Sequence, residues 1–324
     1  MTPSPDPRVV VLVGASSGIG RATAHRLARR GDALVLASRS RAVLEIVARE
    51  CEALAPPGRP GAHVVPTDVA DRAAVEALLC SAVDRFGRVD AVMVSAAVVA
   101  YGRFTEVPGD VFDQAMKVNL LGTANVARAA LELFGAAGGG HLVVVGSLLG
   151  RITTPWMSSY VAGKWGVHGL ARTLQQEVRR MPGVHVSLVA PGSVDTPVYS
   201  QAGSYAGRVG RPPPPVVRPE AVARTIAHVL DRPRRMVSVG RFTPVMAAAF
   251  RLLPSLFDAL VTPLMSVLGL SRRNVEANSG NVWAPTPAGE AVHGRWGRQW
   301  LRAPLVVAAT VPAAVALREL LRRS

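Results

Sequence analysis

The sequence predicts an α/β fold built on a doubly wound parallel sheet. Three observations predict it. Short Val/Leu runs alternate with longer stretches of helical periodicity, a glycine-rich turn joins the first run to the first helical stretch, and the alternation stops after about residue 240. The runs are Val9–Val13, 33–37, His63–Pro66, Ala91–Val94, 142–145 and 185–189, with Met236–Val239 as a seventh. They are continuously apolar, as strands buried on both faces of a parallel sheet must be. Between them, residues 20–30, 42–55, 72–86, 111–136 and 158–180 carry apolar side chains at helical spacing. Such repeated βα units imply helices on both faces of the sheet, a Rossmann-type arrangement. We expect a catalytic dinucleotide-binding domain over residues 1–241 and a mainly helical extension over 242–324.

Composition narrows the function classes. Of 324 residues, 49% are hydrophobic and only 5% aromatic, so the core is built from Ala, Val and Leu. The net charge of +15 suits an anionic cofactor or membrane surface. No basic-and-aromatic run or recognition motif accompanies it, which argues against a nucleic-acid partner. Cys51 and Cys80 lie in separate helical stretches without metal spacing, read as buried small hydrophobes, and point to a cytoplasmic chain with no metal site. The start, Met1 to Pro7, lacks the pattern of a signal peptide.

The turn after the first strand reads Gly14-Ala15-Ser16-Ser17-Gly18-Ile19-Gly20. Gly14 permits the turn, Gly18 lets backbone approach a pyrophosphate, and Gly20 lets helix and strand pack closely. The following helix start offers free N–H groups to the phosphates. After the second strand the chain has Ser38-Arg39 and no carboxylate. An acid there would bond a ribose 2′-hydroxyl, whereas Arg39, helped by Ser38, suits a 2′-phosphate; NADP(H) is therefore favoured over NAD(H). Asp68, after the third strand, is positioned to accept from the adenine amino group.

The stretch 158–180 carries Tyr160 and Lys164 one helical turn apart. Proton exchange with an alcohol needs a phenol with a lowered pKa, and a nearby ammonium would lower it. Ser147 follows the fifth strand and can orient a substrate oxygen. Asn119 sits mid-helix, where Asn is unfavourable without a task.

Taken together, these motifs resemble the short-chain dehydrogenase/reductase superfamily over about residues 8–240. The resemblance implies that Tyr160 is the acid/base, that Lys164 lowers its pKa and binds the nicotinamide ribose, and that Ser147 stabilises the substrate oxygen. Asn119 would hold a water in a proton relay from Lys164. Pro191 and Gly192, with Val194 and Thr196, resemble the segment that touches the carboxamide. One departure stands out: where the family usually has Asn-Asn-Ala-Gly, this chain reads Val94-Ser95-Ala96-Ala97, so the Ser95 hydroxyl must replace an amide beside the cofactor.

The function expected is NADP(H)-dependent interconversion of a ketone or aldehyde and an alcohol. Leu149, Trp156, Val194 and the extension suggest an apolar substrate, held by a loop over about 196–218 that we expect to be mobile. The alternatives are an NAD-dependent epimerase or dehydratase and a non-catalytic cofactor sensor on the same fold. A homo-oligomer, dimer or tetramer, is expected. The extension has a helical stripe from Met246 through Phe250, Leu253, Phe257, Leu260 and Leu264 to Leu268, broken by Pro254 and Pro263. Residues 303–317 form an uncharged run flanked by Arg298, Arg302 and Arg318. It is too short to span a bilayer and would suit a helix lying in the cytoplasmic membrane face. Lid, subunit contact and membrane-surface roles remain open for the extension.

Overall fold

The computed structural model describes residues 7–294 and Trp296. In chain order the elements are β1 (Val9–Val13), α1 (Gly18–Ala28), β2 (Ala33–Ser38), α2 (Arg41–Leu54), β3 (His63–Pro66), α3 (Arg72–Phe86), β4 (Ala91–Val94), β5 (Ala100–Tyr101), α4 (Gly109–Met116), α5 (Gly122–Ala137), β6 (Gly140–Val145) and α6 (Ser158–Glu177). Then follow β7 (Val184–Pro191), β8 (Ser193–Val194), β9 (Ala202–Ser204), β10 (Arg208–Gly210), β11 (Val216–Val217), α7 (Pro219–Asp231), β12 (Met236–Val239), α8 (Thr243–Leu252), α9 (Pro254–Leu268), β13 (Leu270–Asn274) and β14 (Asn278–Gly280).

Seven strands form one parallel sheet in the order β12-β7-β6-β4-β1-β2-β3. Strand order reverses between β1 and β4, and ligands of open α/β sheets bind where that happens, beyond the carboxyl ends of the strands. All seven strands fall within two residues of the predicted runs. Their apolar character is explained by burial on two faces. One face packs Val11, Val35 and Val92 against α3 and α5 residues such as Leu78 and Phe134; the other packs Leu12, Leu36 and Met93 against Leu27, Leu44 and Ile226.

Local chemistry sets the helix ends. Asp71 caps α3 by accepting from the Ala74 N–H, and Gly87 ends it in the left-handed region. Pro219 opens α7, where its missing N–H costs nothing.

The structure departs from expectation in three places. Cys51 is buried as expected, but Cys80 lies on the exposed side of α3. The stretch predicted as one helix over 111–136 is two helices joined by a π turn, Lys117–Leu121, with Asn119 at its centre. The stretch 197–218, expected as a mobile loop, contains three short strands: β9 pairs with β5 and β14, β10 with β13, and β11 with β8. Backbone pairing with the extension replaces the missing side-chain periodicity. Among the described residues no helix is long and apolar enough to cross a membrane. The run 303–317 and its flanking arginines lie outside the described residues.

Candidate active site

The carboxyl ends of β1, β2, β4, β6 and β7 line a crevice of about 300 Å³ running from Arg39 to Tyr160. At one end the glycine loop leaves β1. Gly14 has φ +91°, and a Cβ there would stand 2.6 Å from the Ala96 nitrogen; a Cβ on Gly20 would stand 1.9 Å from the Gly14 carbonyl oxygen. Only glycine permits this turn and this helix approach. Ser16, Ser17, Gly18 and Ile19 line the crevice. The Ser95 hydroxyl donates to the Val13 carbonyl at 3.2 Å, so it braces the end of β1.

At the Arg39 end the Ser38 hydroxyl is buried without a partner among the described residues, and Asp68 lines the same crevice in the field of Arg39. The Asp68 carboxylate also accepts from the Ala70 N–H at 2.9 Å, fixing the turn after β3. A shape that glycines keep clear, a buried hydroxyl lacking a partner and cationic side chains suit a dinucleotide.

At the other end Ser147, Tyr160 and Lys164 converge. Ser147 ends β6, caps a short 3-10 turn by accepting from the Leu149 N–H at 3.1 Å, and is hydrogen-bonded to Tyr160. Burial pushes the Tyr160 phenol up to about 12, against a smaller lowering from Ser147. From the sequence, Lys164 is expected to lower it. The structure differs because the Lys164 ammonium, 5.6 Å from the Tyr160 ring centre, donates to the Val145 carbonyl at 3.0 Å. Burial also brings Lys164 itself down to about 8.

Asn119 is fully buried behind this group. Its Oδ1 accepts from the Val98 N–H at 2.8 Å and its Nδ2 donates to the Val98 carbonyl at 2.9 Å. The side chain therefore clasps the loop after β4, and its own carbonyl accepts from Thr123. Pro191, Gly192, Val194 and Thr196 line the crevice after β7, and Ser95 and Ala96 line it after β4.

The outer part of the crevice is apolar. Leu149, Met157, Val261, Leu264 and Met265 line it, so α9 of the extension forms one wall. Trp156, expected there, does not line the crevice. It adopts φ +63°, and its carbonyl accepts from the Gly102 N–H at 3.0 Å. Tyr101 and Tyr199 were not anticipated. Both line the crevice near Tyr160, and burial raises both phenols; the Tyr101 hydroxyl has no partner among the described residues. Asn281 and Glu290, from beyond β14, also line it. No group of three or more His, Cys, Asp or Glu that could hold a metal lies among the described residues.

Comparison with known proteins gives the site its context. A family profile described as short chain dehydrogenase matches residues 8–205. The uncharacterized oxidoreductase YxnA of Bacillus subtilis is 30% identical over 325 residues, covering 95% of this chain and 89% of that protein. Among solved structures, an alcohol dehydrogenase from the archaeon Thermococcus sibiricus, complexed with 5-hydroxy-NADP, is 30% identical with a TM-score of 0.63, covering 72% of this chain and 96% of that one. A short chain dehydrogenase/reductase from Burkholderia phymatum, in complex with NAD, is 27% identical with a TM-score of 0.67, covering 80% and 96%.

Proposed function

This chain belongs to the short-chain dehydrogenase family of oxidoreductases, and from that premise we propose that it interconverts an apolar ketone or aldehyde and its alcohol, with NADP(H) preferred to NAD(H). The observation that carries the reading is the convergence of Ser147, Tyr160 and Lys164 on the crevice that the glycine loop opens. A bound nicotinamide would supply or accept the hydride at its C4.

The chain's own residues do the rest. Gly14, Ser16, Ser17, Gly18, Ile19 and Gly20 receive the pyrophosphate; Ser38 and Arg39 receive the 2′-phosphate; Asp68 receives the adenine. Ser95 and Ala96 line the nicotinamide side, and Pro191, Gly192, Val194 and Thr196 hold the carboxamide. Tyr160, pushed up to about 12, is protonated at neutral pH and gives its proton to the carbonyl oxygen during reduction. Ser147 orients that oxygen, and Lys164 positions the ribose and, through a water that Asn119 would hold, returns a proton from solvent to Tyr160. The apolar walls from Leu149 to Met265 exclude water and select an apolar substrate.

We further read the protein as a cytoplasmic homo-oligomer whose residues 242–324 offer a surface to another subunit or to the membrane. Support comes from exposed Leu252, Leu253 and Leu256 on α8 and α9 and from the net charge of +15.

The test is a screen of ketones and alcohols followed by NADPH absorbance, repeated with Tyr160→Phe on any substrate found. Turnover should fall on the order of a hundredfold or more while NADPH binding is retained. Residual turnover above roughly a tenth, far more than loss of an acid/base leaves, removes Tyr160 from the acid/base role.

A further inference from the structure

The segment after β14 runs back over the Arg39 end of the crevice, far in sequence from what it touches. The Gly18 N–H, at the start of α1, donates to the Ala291 carbonyl at 2.8 Å. Arg39 donates through Nη2 to the Asn281 carbonyl at 2.7 Å and through Nη1 to the Val282 carbonyl at 3.3 Å. Arg21 grips Glu50 with its fork and reaches the Glu290 carbonyl at 3.3 Å. Further on, Asp195 accepts from the N–H groups of Gly294 and Trp296.

Within this segment the Glu290 carboxyl accepts from the Ser16 hydroxyl and lies in the field of Arg39 and Arg21. Its Oε2 is buried with no partner among the described residues, and burial raises its pKa. β2 ends without an acid, which favours a 2′-phosphate there. Glu290 brings a carboxylate into the same crevice from far along the chain, in the field of Arg39.

We propose that Glu290 sets cofactor choice in this chain: a carboxylate beside Arg39 and Ser16 that opposes a 2′-phosphate and tempers the attraction of Arg39. The inference rests on the functional reading above, since it needs a nicotinamide dinucleotide in the crevice. A 2′-phosphate brings about two negative charges to a carboxylate already there, whereas a ribose 2′-hydroxyl brings none and can donate to it. Arg39 lies in the field of both Asp68 and Glu290, so part of its charge is answered before any phosphate arrives. Two of its donors already hold backbone carbonyls, so a phosphate must share or displace them.

The test measures dissociation constants of NADPH and NADH by calorimetry on the full chain, with no turnover required. In Glu290→Gln, NADPH should bind roughly five- to tenfold tighter and NADH should change less than about twofold or weaken. The NADPH gain should shrink at high salt, as a charge effect must. Glu290→Ala should reproduce the shift, which separates lost charge from a retained hydrogen bond. An unchanged ratio of the two constants overturns the proposal. So does equal tightening of both cofactors, which would make the segment a steric cover. A wild type that prefers NADH refutes the weight given to Arg39, and the proposal then stands if Glu290→Gln still tightens NADPH selectively and falls if it does not. A wild type that binds neither cofactor refutes this proposal together with the reading it rests on.

Discussion

His168 and His141 show how burial at single residues couples stability to pH. The His168 ring, wedged against Gly146 and Gly150, accepts from the Ser147 N–H at 3.3 Å, and burial brings it down to about 4. His141 pairs with Ser187 at 2.8 Å and is also brought down to about 4. Their unfolded values lie near 6.5, so the unfolded chain binds more protons between pH 4 and 6.5. Their stabilisation is full above pH 6.5 and fades as pH falls through that window, by roughly 3 kcal/mol for each. Urea midpoints at pH 7 and 4.5 should show the loss, and His168→Gln, which keeps an acceptor for Ser147, should lessen it. An equal loss in His168→Gln would clear His168 of this role. Ser147, Tyr160 and Lys164 are legible in the sequence because one follows a strand and two lie a helical turn apart, in the order the family resemblance implies. Glu290, Tyr101 and Tyr199 are not, because they reach the crevice through folds of the chain that leave no local pattern.

Among elements, legibility followed length. Strands of four or more buried residues announce themselves by continuous apolar runs, while β5, β8 and β11 hold two residues each, too few for any period. The π turn was equally hidden, since Lys117–Leu121 has the composition of the helices around it. Single π turns are common at functional sites, and this one presents Asn119 to both polar groups of Val98. Asn119→Ala would leave that buried N–H and carbonyl unpaired. The expected cost is roughly 2–4 kcal/mol, read as a lower urea midpoint at unchanged slope. A cost below about 1 kcal/mol would mean that water or a shifted loop satisfies Val98 instead.

For the whole molecule, the extension is what distinguishes this chain from a bare Rossmann unit. Its α9 walls the crevice, β13 and β14 pair with β10 and β9, and α8 and α9 still expose Val245, Leu252, Leu253 and Leu256. An apolar face of this kind calls for a partner surface. Light scattering should give a mass of two or four chains. Leu252→Glu combined with Leu256→Glu should reduce it toward one chain without weakening NADPH binding; an unchanged mass would put the subunit contact elsewhere. The contact between Gly18 and Ala291 also has a consequence for synthesis. The ribosome makes the glycine loop long before the segment that contacts it. The Gly18 N–H therefore waits for its partner while the whole sheet is made, and the contact closes only after Ala291 emerges.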